Sequence, residues 1–192
     1  EKDVTLRLAE TLGKELAARG FAIVFTRQGD RSIGLEERTA IAESVGGDLF
    51  VSLHANAAPR RSVAGIETYY LDANHERHSL GVAARENGIA PSQVDALQRT
   101  VAKLRVSEVS VHSRRVADAV HRQIFAGLAE RYRAVNDLGV KKGPFYVLFL
   151  SNMPAILVEA GFLTNQGEAR RLRDHDYLDD LARQHRELPC EE

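Results

Sequence analysis

Asp48–Ala57 reads D-L-F-V-S-L-H-A-N-A. Leu49, Phe50, Val51 and Leu53 form an apolar run too short for a helix, with the composition of a strand covered on both faces. A second run, Ala155–Ala160 (A-I-L-V-E-A), has the same character; Glu159 breaks it and Gly161 follows. Such strands lie at the centre of α/β sheets, where ligands and chemistry gather at the carboxyl ends. His54 ends the first run, and Glu159 lies near the end of the second. Each has a plain structural reading, His54 as a hydrogen-bonded strand-end imidazole and Glu159 as the partner of an arginine. Each also has a functional one. Imidazole is the commonest protein metal ligand. A carboxylate inside an apolar strand is costly unless it is paired, protonated or linked to a metal, and beside a metal it is a competent general base.

Around these runs, helices and strands alternate. Val4, Leu8, Leu12 and Leu16 recur at near-helical spacing behind Asp3, and Gly20 marks the stop. Further helices are expected at Leu35–Val45, near Glu76–Asn87, at Ser113–Arg133, at Asn165–Leu172 and at Tyr177–Gln184. Val94, Leu97, Val101 and Leu104 mark another amphipathic stretch. Strands are expected at Phe21–Thr26, Asp48–His54, Ile66–Leu71, Pro144–Leu150 and Ala155–Ala160. The pattern predicts one α/β domain, its central sheet of five strands mostly parallel or mixed, with helices on both faces. A chain of 192 residues suits one domain with a sizeable core.

Composition narrows the function classes. Net charge is -1, which gives no electrostatic case for nucleic acid as a partner. No apolar stretch reaches the ~18 residues that span a bilayer. The single cysteine, Cys190, cannot form an internal disulfide. No G-x-S-x-G elbow is present for a serine nucleophile. His112 and His121 stand nine positions apart on one expected helix, which is not metal-ligand spacing. Arg27, Asp30 and Arg38 are expected to form an ion-pair network. Tyr69 and Tyr70, adjacent in a strand, should face opposite sides of the sheet. Asn56 has three open readings: a turn former, an orienting partner for His54, or a substrate contact. Glu1, read alone, is a frayed end or a helix-dipole partner.

A series of motifs runs along the chain in order: E-K-D-V from Glu1, T-R-Q-G-D from Thr26, L-E-E-R-T-A-I-A from Leu35, S-L-H-A-N-A from Ser52, G-I-E-T-Y-Y-L from Gly65, K-G-P-F-Y-V-L from Lys142, and M-P-A-I-L-V-E-A-G-F-L-T-N from Met153. By their joint order and spacing, from Glu1 to about Tyr177, the chain resembles the zinc-dependent N-acetylmuramoyl-L-alanine amidases of bacterial cell walls. The resemblance implies a Zn2+ cofactor with Glu1 and His54 as metal ligands, and Glu159 as the catalytic glutamate. It implies hydrolysis of the amide between N-acetylmuramic acid and L-alanine, Glu159 taking a proton from the attacking water and returning it to the leaving amine. Peptidoglycan is the implied partner, and the periplasm or cell exterior the implied location.

The resemblance also implies six strands, the first ending in a G-H-G-G turn that carries another zinc-ligand histidine. That motif is not in the sequence, so residues 1–192 are expected to be an amidase catalytic domain that begins downstream of it. His75, His78 or the chain's α-amino group are alternative donors, and a catalytically silent peptidoglycan-binding module is the alternative function. Some relatives carry a helix that blocks the site until an activator protein displaces it. The stretch near 93–105 is the candidate here, with an ordinary packed helix as the alternative.

Overall fold

The two apolar runs become neighbouring parallel strands. In the computed structural model of the protein, which describes residues 1–72, 77–90, 92–94, 108–133 and 135–183, β1 is Phe50–Asn56 and β4 is Ala155–Phe162. Phe50 pairs with Ala155, and the register continues to His54 opposite Glu159. β2 (Ile66–Tyr70) runs antiparallel to β4 on its other side, and β3 (Asp137–Lys142) runs parallel to β2 at the far edge. The sheet is therefore mixed, in the order β1-β4-β2-β3.

Helices cover both faces, as the alternating pattern predicts. They are α1 (Lys2–Ala17), α2 (Leu35–Ser44), α3 (Arg77–Glu86), α4 (Glu108–Arg131), α5 (Tyr146–Leu150), α6 (Gln166–Arg171) and α7 (His175–Arg183). Side-chain alternation in the strands divides the core in two. Ile156, Val158 and Ala160 of β4 pack with Leu8 and Leu12 of α1, Ile124 and Leu128 of α4, and Leu178 and Leu181 of α7. Ala155 and Leu157 point the other way, with Phe50, Tyr69, Val82, Phe145 and Leu148, beneath α2, α3 and α5. Tyr69 and Tyr70 separate to the two faces as expected. All eight residues of β4 are buried, and full burial of side chains such as Ile156 and Leu157 stabilises the fold by roughly 1.5–3 kcal/mol each.

The sheet has four described strands where five were expected, and the membership differs. Phe21–Thr26 is not assigned to any ladder among the described residues; a cavity of about 870 Å3 is lined both by this segment and by Phe50–Leu53 of β1. Pro144–Leu150 is not a strand: Tyr146–Leu150 is the short helix α5, with Val147 and Leu148 buried. A continuous apolar run has no period to separate a buried strand from a buried helical turn. Conversely, D-L-G-V-K-K reads poorly as a strand yet forms β3. Gly139 takes φ 80° there, beside a register shift in the β2–β3 ladder, and an edge position tolerates both the irregularity and the lysines. The expected network of Arg27, Asp30 and Arg38 does not form. Asp30 pairs with Lys2 at 2.5 Å, while Arg27 and Arg38 donate to the carbonyls of Lys2 and Ile33. Residues 95–105 of the expected regulatory helix, His75, and the side chain of His78 lie outside the described residues.

Candidate metal and catalytic site

The pairing of β1 with β4, and of β4 with β2, sets three ionisable residues in a row on one face. His54 lies opposite Glu159, and Glu159 lies opposite Glu67. This is the face covered by α3, whose last residue is Glu86. At the carboxyl end of β1, Nδ1 of His54 is 2.7 Å from Oε2 of Glu86 and 3.1 Å from Oε1 of Glu1, and Nε2 is 3.0 Å from Oγ of Ser52. Glu1, at the head of α1, also accepts from the backbone N–H of Ala55 at 3.4 Å. One ligand atom each from Glu1, His54 and Glu86 falls within 4.8 Å of the others.

Electrostatics follow from that convergence. Burial by itself would lower the His54 pKa, but its bonds to Glu1 and Glu86 outweigh burial and push it up to about 10. For Glu1, desolvation pulls upward; the bond and charge of His54 prevail and leave its carboxyl below the ordinary value. Glu159 shows the opposite balance. It is 0% exposed, and neither carboxyl oxygen has a hydrogen-bond partner among the described residues. Desolvation raises its pKa well above the ordinary value despite the nearby His54, and the charges of Glu86, Glu67 and Glu1 add to the rise.

Two carboxylates and an imidazole on converging elements are a nitrogen–oxygen donor set suited to a divalent cation. Three such donors also match the pattern in which a fourth position stays open for water or substrate. The unpartnered Glu159 carboxyl, adjacent in the sheet, is the kind of buried polar group that calls for an explanation. A base held next to the donor set supplies one.

Glu1, His54 and Glu159, singled out in the sequence, are thus brought together across 158 positions of chain. Asn56, also singled out, is 1% exposed; it donates to Glu67 at 2.7 Å and accepts from Arg85 at 2.9 Å. Sequence reasoning missed Glu86 and Glu67. Both left a signal. Glu86 places a negative charge in the last turn of its helix, against the helix dipole. Glu67 interrupts a strand whose five residues are all buried, as Glu159 does in β4.

A family model described as N-acetylmuramoyl-L-alanine amidase (Amidase_3) matches residues 1–187. The chain belongs to this family. Among its relatives, the N-acetylmuramoyl-L-alanine amidase LytC of Bacillus subtilis (strain 168) is 32% identical over 182 residues, a match that covers 95% of this chain and 29% of LytC. AmiA of Escherichia coli (strain K12) is 26% identical over 181 residues, covering 90% of this chain and 61% of AmiA. The chain thus spans less than a third of LytC and about three fifths of AmiA. Among solved structures, the N-acetylmuramoyl-L-alanine amidase of Clostridium difficile 630 superimposes with a TM-score of 0.71 at 28% identity, covering 96% of this chain and 78% of that one. AmiC2 of Nostoc punctiforme gives 0.68 at 29% identity, covering 96% and 79%. The α/β fold with its mixed sheet is that of these amidases. The amidase family is metal-dependent, and the Glu1, His54 and Glu86 cluster is a carboxylate–histidine candidate for the metal among the described residues.

Proposed function

We propose that this domain is a zinc-dependent N-acetylmuramoyl-L-alanine amidase, which hydrolyses the amide joining the lactyl group of N-acetylmuramic acid to the L-alanine of the stem peptide. The observation that carries this reading is the buried, unpartnered Glu159 in register with His54, beside the Glu1–His54–Glu86 cluster. Glu1 and His54 hold the zinc, and Glu86 is the third donor that the fold brings to them. When bound, the zinc polarises the scissile carbonyl and acidifies water. Glu159 does the proton work. As a carboxylate it accepts a proton from the attacking water, and its burial favours holding that proton until it returns to the leaving amine. Ser52, 3.0 Å from Nε2 of His54, fixes the ring so that Nδ1 faces the carboxylates. Asn56 braces the end of β1 against Glu67 and Arg85.

Peptidoglycan as substrate places the protein in the periplasm or outside the cell. An activator acting through the segment near 93–105 belongs to the same proposal. Deletion of 93–105 should then raise turnover, and unchanged turnover would count against the activator. The central test is release of stem peptides from purified peptidoglycan by the zinc-loaded protein, with Glu159→Gln as the control. Turnover should vanish in Glu159→Gln and after chelation. Undiminished turnover in the variant overturns the role given to Glu159. No turnover by the zinc-loaded parent protein overturns the reading as a whole.

A further inference from the structure

The same face of the sheet carries a second polar system, whose bonds lead away from Glu159. Glu67 is 0% exposed, and three side chains donate to it: Asn56 at 2.7 Å, Tyr69 at 2.8 Å and Lys141 at 2.5 Å. An ion pair buried to this degree adds little net stability over apolar residues of similar volume. Its retention needs another reason, and the chain of bonds leads to one. Asn56 donates its amide N–H to Glu67, and its Oδ1 accepts from Arg85. The orientation of that amide is forced, because a carboxylate cannot donate and a guanidinium cannot accept. Arg85 is the solvent-exposed end of the relay, and its bond to Asn56 sets it at the end of β1, two residues beyond His54. One of its nitrogens bonds to Asn56; the guanidinium fork has further donors, a geometry that matches a carboxylate.

We infer that the Lys141–Glu67–Asn56–Arg85 relay fixes Arg85 as a docking group for a carboxylate of the substrate, making Arg85 a specificity residue and Glu67 a positioning residue that acts through Asn56. This rests on the amidase reading, in which the substrate is a stem peptide whose residues beyond the scissile bond carry free carboxylates or their amides. The charge sequence supports it. The dipole of Asn56 points its positive end at Glu67 and its negative end at Arg85, so the relay holds the guanidinium in place without neutralising it. A plain brace between α3 and β1 would need only the Arg85–Asn56 bond, not a buried carboxylate and lysine behind it.

The test uses two soluble muramoyl peptides that differ only in a free carboxylate against a carboxamide on the residue after L-alanine. KM and kcat are measured on the zinc-loaded protein, and binding of both peptides is measured by calorimetry on the same samples. The parent protein should favour the carboxylate form by roughly tenfold in KM, the scale of one charge-assisted hydrogen bond. Arg85→Gln should erase that preference. Glu67→Gln should also reduce the preference, because a neutral amide releases Asn56 to turn its N–H toward Arg85. An equal preference in parent and Arg85→Gln overturns the inference while leaving the amidase reading intact. If no peptide is cleaved, the amidase reading fails, and the calorimetric difference between the two peptides still decides the role of Arg85.

Discussion

Replacing Glu159 with Gln should make the metal-free protein more stable while removing its activity. Glu159 is fully buried and neither of its oxygens has a hydrogen-bond partner among the described residues, so the folded state disfavours its ionised form. An acid whose folded-state pKa is raised carries no penalty below its ordinary value of 4.5. Above that pH the unfolded chain gives up the proton and the folded protein does not. Stability then falls by about 1.4 kcal/mol per pH unit, and the loss levels off once pH reaches the raised folded-state pKa. Gln is nearly isosteric with the protonated acid and does not titrate, so the variant should escape this loss. The expected gain over the parent protein is near zero at pH 4.5 and grows by about 1.4 kcal/mol per pH unit above it until the folded carboxyl ionises. For a domain of this size, each 1.4 kcal/mol corresponds to roughly 3–6 °C in Tm. Denaturant unfolding of both metal-free proteins at several pH values across this range measures it directly. Parallel stability curves for parent and variant would refute the assignment of Glu159 as an unpaired buried acid, whatever the variant's activity.

Other expectations follow from the same geometry. His54 gains its stabilising pairs with Glu1 and Glu86 in the protonated form. In the metal-free protein that contribution is complete below about pH 6.5 and is lost as pH rises through about 10. Zinc must displace the same proton, so zinc affinity by competition titration should rise with pH from 6 to 8, and a flat profile would place the metal elsewhere. His54→Ala should abolish stoichiometric zinc binding on equilibrium dialysis; retention of one tight zinc would exclude His54 as a ligand. Gly65→Ala should cost about 2 kcal/mol or more in denaturant unfolding, because φ is 137° and a Cβ would meet the carbonyl oxygen of Asn136 at 2.6 Å. Ile156→Ala, at the centre of β4 and 0% exposed, should cost about 2–5 kcal/mol; a loss under 1 kcal/mol would mean that the site collapses around the truncation.

The fold class was legible because its signals are local. The period of α1 and the apolar runs of β1 and β4 depend only on which residues follow one another. The family motifs, read in order, marked Glu1, His54 and Glu159 as a group before any contact was known. Burial that is uniform around an element erases the period, and there the sequence was silent. P-F-Y-V-L-F-L therefore read as a strand and folds as the helix α5, while β3 was hidden by Gly139 and two lysines that only an edge strand accepts. The tertiary structure alone decided the partners. Glu86 reaches His54 from the end of α3, and Glu67 is linked through Asn56 to Arg85. The physical reason is the same in both cases. A side chain's chemistry is written at its own position, but its pKa, its bonds and its ligand set are fixed by strand register and helix placement, which join residues far apart in the chain.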